Sequence, residues 1–365
     1  MKKWMILISC CLLLSGCNGM SSRHSAIKRA SGIQIEVSSM SLFMVGDALL
    51  HGAVYHQVKQ PDGSYDFGDM MSVLKDITPQ YDLRFYNQET ILGGTELGLS
   101  SYPMFNSPQE FGDTMMSYGF NLVSLANNHT LDKGENGVRR SLDYWSQQNA
   151  MTAGSYGSWE ERAKINIDTV NGISYTLLAY TYGTNGLIAP AGKEYLCNTY
   201  TQEMLIEDIQ AVKDQVDVLI VSMHWGVEYT HTPTKHQHEL AQLLADQGVH
   251  VIIGHHPHVI QPVERIKDAI VYYSLGNLVS AQDGIMRNIG MMGAVEIYKI
   301  QIGNKTLIQT KHPRADLIFT IYDAGYQNLR LETIEQLDPS YKNIYDDYIK
   351  IITRLDHSIE VGGIK

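Results

Sequence analysis

Short apolar runs alternate with amphipathic segments along most of the 365-residue chain. The apolar runs, such as "SLFMV" at residues 41–45, end at glycine or polar positions, which predicts buried strands. Strands that alternate with helices are typical of βαβ units, so we predict an α/β fold with a largely parallel central sheet. The predicted strands are residues 41–45, 82–87, 121–126, 216–225, 249–258 and 269–277, and the predicted helices are residues 67–77, 108–118, 135–148, 202–213 and 235–248.

Two hairpins and a terminal helix complete this prediction. Residues 165–180 and 293–313 each contain two strand-like runs around a short turn, and Asn171-Gly172 is a strong signal for a two-residue turn. Residues 338–357 have the spacing of one amphipathic helix. With 44% hydrophobic and 18% charged residues, the composition is that of an ordinary globular protein long enough to bury a large core.

The first 17 residues, "MKKWMILISCCLLLSGC", have the layout of a secretion signal. Two lysines precede an apolar run that is too short to span a bilayer, and small residues precede Cys17. The sequence "LSGC" resembles the lipobox of bacterial lipoproteins. This resemblance implies that Cys17 is lipidated and holds the chain at the extracytoplasmic face of the cell membrane. A plain signal peptide and an uncleaved anchor are the alternatives.

The sequence predicts four parts of the chain. Residues 1–16 would be the lipoprotein signal peptide, and the serine-rich residues 17–40 a tether. Residues 41–310 would be the folded domain, and residues 311–365 a C-terminal extension packed on that domain. After signal removal and lipidation of Cys17, Cys197 would be the single remaining thiol, so we predict no intramolecular disulfide.

The chain is acidic, with a formal net charge of −11 at pH 7, and loss of the two signal lysines would make it more acidic still. An acidic chain lacks the basic surface that nucleic acids require, so we predict no nucleic-acid partner. A phosphorylated substrate or another anionic substrate stays compatible with this charge, because bound metal ions would dominate the local field of its site.

Polar side chains cluster where the predicted strands end. In open parallel sheets, ligands bind at the carboxyl ends of the strands, and these ends meet at one edge. Several polar clusters at one edge are stronger evidence for a site than any one of them. The six clusters are Asp47, Glu89, Asn128 with His129, His224, His256 with His258, and Asn277.

Carboxylates, an amide oxygen and imidazoles together suit divalent metal ions such as Mn²⁺, Zn²⁺ or Fe²⁺. One residue separates His256 from His258, and this spacing past the end of a strand lets both rings approach a pair of metals. A carboxylate between two cations bridges them, and such a pair holds an ester and activates a water molecule. Each histidine alone would be an ordinary hydrogen-bonded or solvated side chain, so the prediction of two divalent metal ions depends on the whole set.

Six segments carry a resemblance to a known family. They occur in order between Leu42 and Asp283 and are "GDALLH", "NQET", "ANNHTLDKGENG", "HWGVEY", "GHHPHVIQPVE" and "YSLGN". Together they resemble the motifs of the capsule-synthesis CapA family, which includes poly-γ-glutamate biosynthesis and export proteins. The resemblance implies a calcineurin-like metallophosphoesterase fold, with layered sheets, flanking helices and a C-terminal extension of a hairpin and a helix.

The same resemblance implies roles for the clustered residues. Glu89 would bridge two metals, and His129 would be a general acid near the leaving group. Calcineurin-like phosphoesterases have an aspartate at the position of Glu89 and an Asp-x-His sequence in their first motif, whereas here His51 lies four residues after Asp47. A site short of one imidazole suits Mg²⁺ or Ca²⁺ as well as Mn²⁺ or Zn²⁺. The implied metal ligands are Asp47, Glu89, Asn128, His224, His256 and His258.

Two further acidic residues have predicted roles in catalysis. Asp132 lies three residues after His129 and would orient its imidazole by a hydrogen bond. Glu228, in the segment "HWGVEY", would be a general base or a hydrogen-bond partner of a ligand histidine, and the alternative is that it caps a turn. The predicted catalytic residues are therefore His129, Asp132 and Glu228.

Two functional hypotheses follow. The first is an envelope-anchored metallohydrolase that acts on a phosphoester or an anionic polymer in capsule or poly-γ-glutamate biosynthesis or export. The second is a non-catalytic assembly or export component, in which the same site binds a ligand or partner beside a membrane polymer synthase. The glutamate at position 89 and the missing Asp-x-His sequence favour the second hypothesis. The 22 tyrosines alone suggest a third, a carbohydrate-binding surface lipoprotein.

Overall fold

The computed structural model describes residues 28–30 and 33–365. The predicted signal peptide, Cys17 and most of the predicted tether lie outside these described residues. The strands are β1 (Lys28–Ala30), β2 (Ile33–Ala48), β3 (Leu83–Asn87), β4 (Leu122–Ser124), β5 (Met151–Ala153), β6 (Asp168–Val170), β7 (Ile173–Thr181), β8 (Val218–His224), β9 (Val251–His255), β10 (Val263–Ile266), β11 (Ala269–Tyr272), β12 (Asn277–Val279), β13 (Ile289–Ile302), β14 (Lys305–Asp323), β15 (Gln327–Thr333) and β16 (Glu360–Val361). The α-helices are α1 (Gly52–His56), α2 (Leu74–Ile77), α3 (Glu110–Ser117), α4 (Gly134–Trp145), α5 (Trp159–Ala163), α6 (Gln202–Val212), α7 (Lys235–Gln247) and α8 (Lys342–Ile352).

The strands form two sheets, in agreement with the layered sheets that the family resemblance implies, whereas the alternation of strands and helices alone indicated one central sheet. The first has the order β15-β14-β13-β2-β3-β4-β5, with β1 and β12 also paired to β2 and β16 to β14. The second has the order β10-β11-β9-β8-β7-β6. The strands from β2 to β5 are parallel, as are β7, β8, β9 and β11. The short strands β12 and β16 also pair in parallel, and the other strands of each sheet pair antiparallel.

The two sheets pack face to face and carry helices on their outer sides. Met44 and Phe85 of the first sheet share one buried core with Ile220 and Ile253 of the second. Because side chains alternate along a strand, Phe43 points to the opposite face and packs with residues of α3 and α4. The outer face of the second sheet packs on α6 and α7 in the same way. The predicted α/β class with layered sheets and flanking helices is therefore confirmed.

The structure differs from the predicted element and domain limits in several places. The strand predicted at residues 269–277 is β11 of the second sheet only up to Tyr272, and Asn277 begins β12 of the first sheet and does not end a strand. The chain reaches the sheet earlier than the predicted tether allows, because residues 33–37 alternate between apolar and polar positions and β2 pairs with β13 from Ile35 onward. The predicted boundary after residue 310 falls inside the continuous strand β14. The helix predicted at residues 67–77 is limited to α2, and hydrogen-bonded turns precede it.

The carboxyl ends of the central strands of both sheets meet at one edge. Asp47 is in register with Asn87 of β3 and Asn277 of β12, and His224 is in register with His255 of β9. The approach is close, because a Cβ atom on Gly46 would lie 1.9 Å from the carbonyl oxygen of Gly276. Glycine at position 46 therefore lets two strand ends carry their polar side chains to the same point.

Within the described residues, none of the helices has the length and apolar character needed to cross a membrane.

Candidate metal centre

The nine predicted site residues lie at this common edge of the two sheets. Asp47 is the penultimate residue of β2, Glu89 follows β3 by two residues, and His224 is the last residue of β8. The remaining residues lie on the turns that follow β4, β8 and β9. Eight of the nine are buried, and only Glu228 is exposed. The eight buried residues are Asp47, Glu89, Asn128, His129, Asp132, His224, His256 and His258.

Asp47 is fully buried and surrounded by donors. Nδ2 of Asn87 donates to its Oδ1 at 2.8 Å, and the backbone N–H of His256 donates to its Oδ2 at 3.2 Å. Nδ1 of His255 lies 3.0 Å from the same Oδ1 atom. Burial alone would raise the pKa of Asp47, but His255 and His258 outweigh it and lower that pKa. Asp47 is therefore held as a carboxylate.

Glu89 is fully buried without hydrogen-bond donors. Its Oε1 lies 3.6 Å from Nε2 of His224 and 3.7 Å from Nε2 of His258, and among the described residues neither of its oxygens has a hydrogen-bond partner. Burial, together with the negative charges of Asp47, Glu228 and Asp132, raises the pKa of Glu89 well above its ordinary value. A buried carboxylate in this position needs a cation to be stable as an anion.

His224 and Asn128 face each other beside Glu89. Oδ1 of Asn128 lies 2.9 Å from Nε2 of His224, and Nδ2 of Asn128 donates to Oδ1 of Asn185 at 3.3 Å. Burial and the neighbouring imidazoles lower the pKa of His224 well below its ordinary value. The ring is therefore neutral, which is the form that binds metal ions.

His256 and His258 approach the same point from an unusual backbone. Their φ angles are +95° and +56°, in the left-handed region that favours glycine. Nδ1 of His258 lies 3.0 Å from Oδ1 of Asn277, which leaves Nε2 directed to Glu89. Nδ1 of His256 is buried without a hydrogen-bond partner in the described chain, and burial lowers the pKa of His256 to about 3. Both rings are thus available as neutral ligands.

These side chains form two groups whose ligand atoms lie within 4.8 Å of one another. One group is Glu89, His224 and His256, and the other is Asp47, Glu89 and His258. Glu89 belongs to both, and its unpartnered oxygens fit a position between two cations. The donor set of carboxylates, imidazoles and one amide oxygen suits divalent metals. The residues therefore fit a pair of divalent ions with Glu89 as the shared ligand.

His129 lies next to these groups with a carboxylate behind it. Its Nδ1 lies 2.8 Å from Oδ2 of Asp132, and the same oxygen accepts the backbone N–H of Phe105 at 2.6 Å. The ring of Phe105 packs edge-on against the imidazole, with 4.7 Å between the two ring centroids. A carboxylate at Nδ1 fixes the tautomer, so that Nε2 is the nitrogen free to exchange a proton.

Three contributors to the site were not assigned a role from the sequence. Asn87 and His255 hold Asp47, and Asn277 holds His258. Asn277 is itself one of the six predicted clusters and His255 directly precedes His256, and this was the available signal. Asn87 is the last residue of β3 and carried no signal of its own. His51, by contrast, belongs to neither metal group and its Nδ1 lies 3.2 Å from the carbonyl oxygen of Leu49.

A wide groove lies elsewhere on the molecule. It has a volume of about 880 Å³ and is lined by residues of β5, β6 and α4, including Trp145 and Thr152, and by Tyr156 in the segment that follows β5. None of the nine predicted site residues lines it. The chemistry of the described chain is therefore concentrated in the polar cluster rather than in this groove.

Buried carboxylates and neutral imidazoles at the joined ends of two sheets define the chain as a candidate metalloprotein. The sequence model of the bacterial capsule synthesis protein PGA_cap matches residues 41–282. The chain therefore belongs to the PGA_cap family of bacterial capsule synthesis proteins, and the resemblance to CapA proteins is confirmed.

Two relatives are similar over part of their length. The PGA biosynthesis protein CapA of Bacillus subtilis (strain 168) is 33% identical over 171 residues, which are 45% of this chain and 43% of that protein. The capsule biosynthesis protein CapA of Bacillus anthracis is 30% identical over 168 residues, 45% of this chain and 41% of that protein. The matched region thus spans less than half the length of either relative.

Two solved structures are similar in outline only. A hypothetical protein from Thermus thermophilus has 15% sequence identity and a TM-score of 0.45, with coverage of 74% of this chain and 98% of that chain. The sulfate thiohydrolase SoxB of Thermus thermophilus in complex with glycerol has 12% sequence identity and a TM-score of 0.41, with coverage of 77% of this chain and 46% of that chain. Similarity at this level carries no functional conclusion.

Proposed function

We propose that this protein is a metal-dependent, phosphoesterase-like hydrolase of capsule or poly-γ-glutamate biosynthesis or export. The observation that carries the proposal is the position of Glu89, which is fully buried between two ligand groups with no hydrogen-bond partner for either oxygen in the described chain. The capsule context comes from membership of the family and from the names of its relatives.

The proposed centre holds two divalent ions, for which Mn²⁺, Zn²⁺, Mg²⁺ and Ca²⁺ are the candidates. Bound at Glu89, they would supply Lewis-acid activation of the substrate and of the attacking water. Asn87 and His255 keep Asp47 ionised and in place, and Asn277 keeps Nε2 of His258 directed inward. The protein residues thereby fix the ligand atoms before any ion or substrate arrives.

His129 is the proposed proton donor. Because Asp132 accepts from Nδ1, the other ring nitrogen, Nε2, is the one that gives a proton to the leaving group. Phe105 restrains the same ring from its side and donates its backbone N–H to Asp132. The imidazole therefore has one orientation and one tautomer, which general acid catalysis requires.

The proposed substrate is an anion, either a phosphoester or an acidic polymer. A chain with a net charge of −11 repels such a substrate at long range, so the attraction has to be local. A pair of divalent cations is the strongest local positive charge that these residues can assemble.

Metal analysis of the purified protein tests the proposal. We expect the wild type to hold about two equivalents of a divalent metal after incubation with Mn²⁺ or Zn²⁺. In His129→Ala we expect phosphoesterase activity to fall about 10²-fold or more while the metal content stays unchanged. Glu239→Gln, on the exposed face of α7, is the control and should behave as wild type. A protein that takes up no Mn²⁺, Zn²⁺, Mg²⁺ or Ca²⁺ would refute the metal centre.

The second candidate function is a non-catalytic assembly or export component beside a membrane polymer synthase. The observation that favours it is His51, which contacts the backbone of Leu49 and joins neither metal group. In this case His129→Ala would leave polymer production in cells intact, and substitutions on an exposed surface would abolish it. The first candidate requires the opposite pattern.

We also propose that Cys17 carries the lipid that anchors the chain outside the cell membrane. The support is the "LSGC" sequence after a short apolar run. Mass spectrometry of the N-terminal peptide should show acylated Cys17, and Cys17→Ser should release the protein from the membrane fraction. Membrane retention of Cys17→Ser with an intact N-terminus would instead show an uncleaved anchor.

A further inference from the structure

One exposed carboxylate lies directly over the proposed metal centre. Oε1 of Glu228 is 4.0 Å from Nε2 of His258, and Glu228 with His256 and His258 forms a third group whose ligand atoms all lie within 4.8 Å of one another. His256 belongs to one proposed metal position and His258 to the other. Glu228 thus approaches the two histidines from an exposed position, whereas Glu89 is fully buried.

The backbone holds Glu228 in this place. The N–H of Trp225 donates to the carbonyl of His255 at 3.1 Å, and the N–H of Tyr229 donates to the carbonyl of Pro257 at 2.8 Å. The loop with Glu228 is therefore fastened at both ends to the segment that carries the two histidines.

Left-handed backbone angles occur on both sides of this contact. Tyr229 has a φ of +63°, next to +95° at His256 and +56° at His258. Non-glycine residues in this region cost free energy, and they persist where the surrounding structure or a function demands them. Here the three unusual angles together bring the side chains at positions 228, 256 and 258 to one point.

One of the two metal positions lacks a ligand that the other has. The position of Glu89, His224 and His256 is also reached by Oδ1 of Asn128, at 2.9 Å from His224. The ligand group of Asp47, Glu89 and His258 includes no fourth interior side chain of the described chain. His255 lies outside this group and its Nδ1 faces Oδ1 of Asp47 at 3.0 Å, while Nδ1 of His51 lies 3.2 Å from the carbonyl oxygen of Leu49 and 3.3 Å from the backbone N of Ala281.

We propose that Glu228 is the fourth protein ligand of the metal held by Asp47, Glu89 and His258. This inference rests on the dinuclear centre proposed above and assigns one more residue to it. Glu228 is the carboxylate nearest to His258 from outside, and its side chain is 40% exposed, so it has room to rotate onto a cation. With three carboxylates in the centre, the oxygen-rich position suits hard cations such as Mn²⁺ or Mg²⁺.

Titration of the full-length, metal-free protein with Mn²⁺ alone tests this assignment. Calorimetry of the wild type should show two binding events. In Glu228→Gln we expect one event with wild-type affinity and a second that is weaker by at least about tenfold, because a ligand is lost at one position only. At the Mn²⁺ concentration that saturates the wild type, the wild type should show the spin-coupled electron paramagnetic resonance signal of a Mn²⁺ pair, and Glu228→Gln should not.

Two variants separate coordination from charge. Glu228→Asp keeps the negative charge but shortens the reach, so we expect it to weaken the second event as Glu228→Gln does. Wild-type affinity in Glu228→Asp would show that only the charge matters and would overturn the assignment. His51→Ala should leave both events unchanged, and loss of the second event in that variant would give the position to His51 instead.

The outcomes for the two proposals are distinct. If the wild type binds no Mn²⁺ or one equivalent, the dinuclear centre itself is wrong. If the wild type binds two equivalents and Glu228→Gln binds two with unchanged affinity, the centre stands and Glu228 is not a ligand. Glu239→Gln removes one exposed carboxylate from α7 and controls for the change in net charge.

Discussion

Replacement of Glu89 by glutamine should have opposite effects on the metal-free and the metal-loaded protein. The side chain keeps its shape, loses its charge and gains a donor amide next to two neutral imidazoles. In the metal-free wild type, the Glu89 carboxylate is buried without a hydrogen-bond partner in the described chain. A buried polar group without partners costs roughly 1–3 kcal/mol, and a charged group costs more. Glutamine avoids the cost of the charge, so metal-free Glu89→Gln should be more stable than the wild type by up to about that amount at a pH high enough to remove the proton that the raised pKa of Glu89 favours.

The metal-loaded proteins should show the reverse order. Ligand at 100 times its Kd stabilises a folded protein by about 2.7 kcal/mol at each site. Because Glu89 belongs to both ligand groups, its replacement should remove most of the stabilisation from both positions. Addition of Mn²⁺ should thus raise the free energy of unfolding of the wild type by several kcal/mol and leave that of Glu89→Gln almost unchanged.

Thermal unfolding in EDTA and in excess Mn²⁺ measures both effects. For a chain of this size, 1 kcal/mol corresponds to roughly 2 °C in Tm. Glu96→Gln is the matched control, because its side chain is 83% exposed and distant charge loss alone should change neither Tm. A lower Tm for Glu89→Gln in EDTA would show that the carboxylate is satisfied without metal. An equal response to Mn²⁺ would show that Glu89 is not a ligand.

Three further predictions concern catalysis, pH and packing. The substitution Asp132→Asn should lower the rate of hydrolysis about 10²-fold at unchanged metal content, because the carboxylate that orients His129 is lost. A loss of bound metal of similar size would instead indicate a structural role for Asp132. Burial would raise the pKa of Asp217, but its contact with Lys299 at 2.7 Å and its hydrogen bonds from Ser174 lower that pKa. The stabilisation by Asp217 is therefore present above about pH 4 and is lost as the pH falls through the lowered pKa. In urea unfolding, the free energy of unfolding of Asp217→Asn should be about 1 kcal/mol below that of the wild type at pH 7, and this difference should shrink at pH 3. Gly46→Ala should destabilise the fold by more than about 3 kcal/mol, because its Cβ would lie 1.9 Å from a carbonyl oxygen; wild-type stability in a denaturant series would contradict the close strand contact.

Much of the fold follows from local patterns. Apolar runs mark the ends of β3 and β8 within two residues and those of β9 within three, and the caps at Thr201 and Thr234 begin α6 and α7 where the helical spacing starts. The division of the strands into two sheets does not follow from such patterns. Central parallel strands are buried on both faces, so their sequences do not record which neighbour they pair with.

The candidate site, like the fold, could be predicted only in part from the sequence. Asp47, Glu89 and His224 could be proposed because polar residues directly after buried strands are visible in the sequence. The support that Asn87 gives to Asp47 depends on the register of β2 and β3, which is set by pairing over a long sequence distance. The contact of Glu228 with His258 depends on two loops that meet only after both sheets have formed.

The length of β2 has a consequence for where the chemistry takes place. Ile33 and Asp47 lie toward opposite ends of this 16-residue strand, which spans up to about 50 Å at the usual rise per residue. In the proposed lipid-anchored protein, the strand would act as a rigid spacer between the point where the tether joins the domain and the catalytic edge. The metal centre would then lie several nanometres from the end of the tether, and a polymer substrate would have to reach it at that distance.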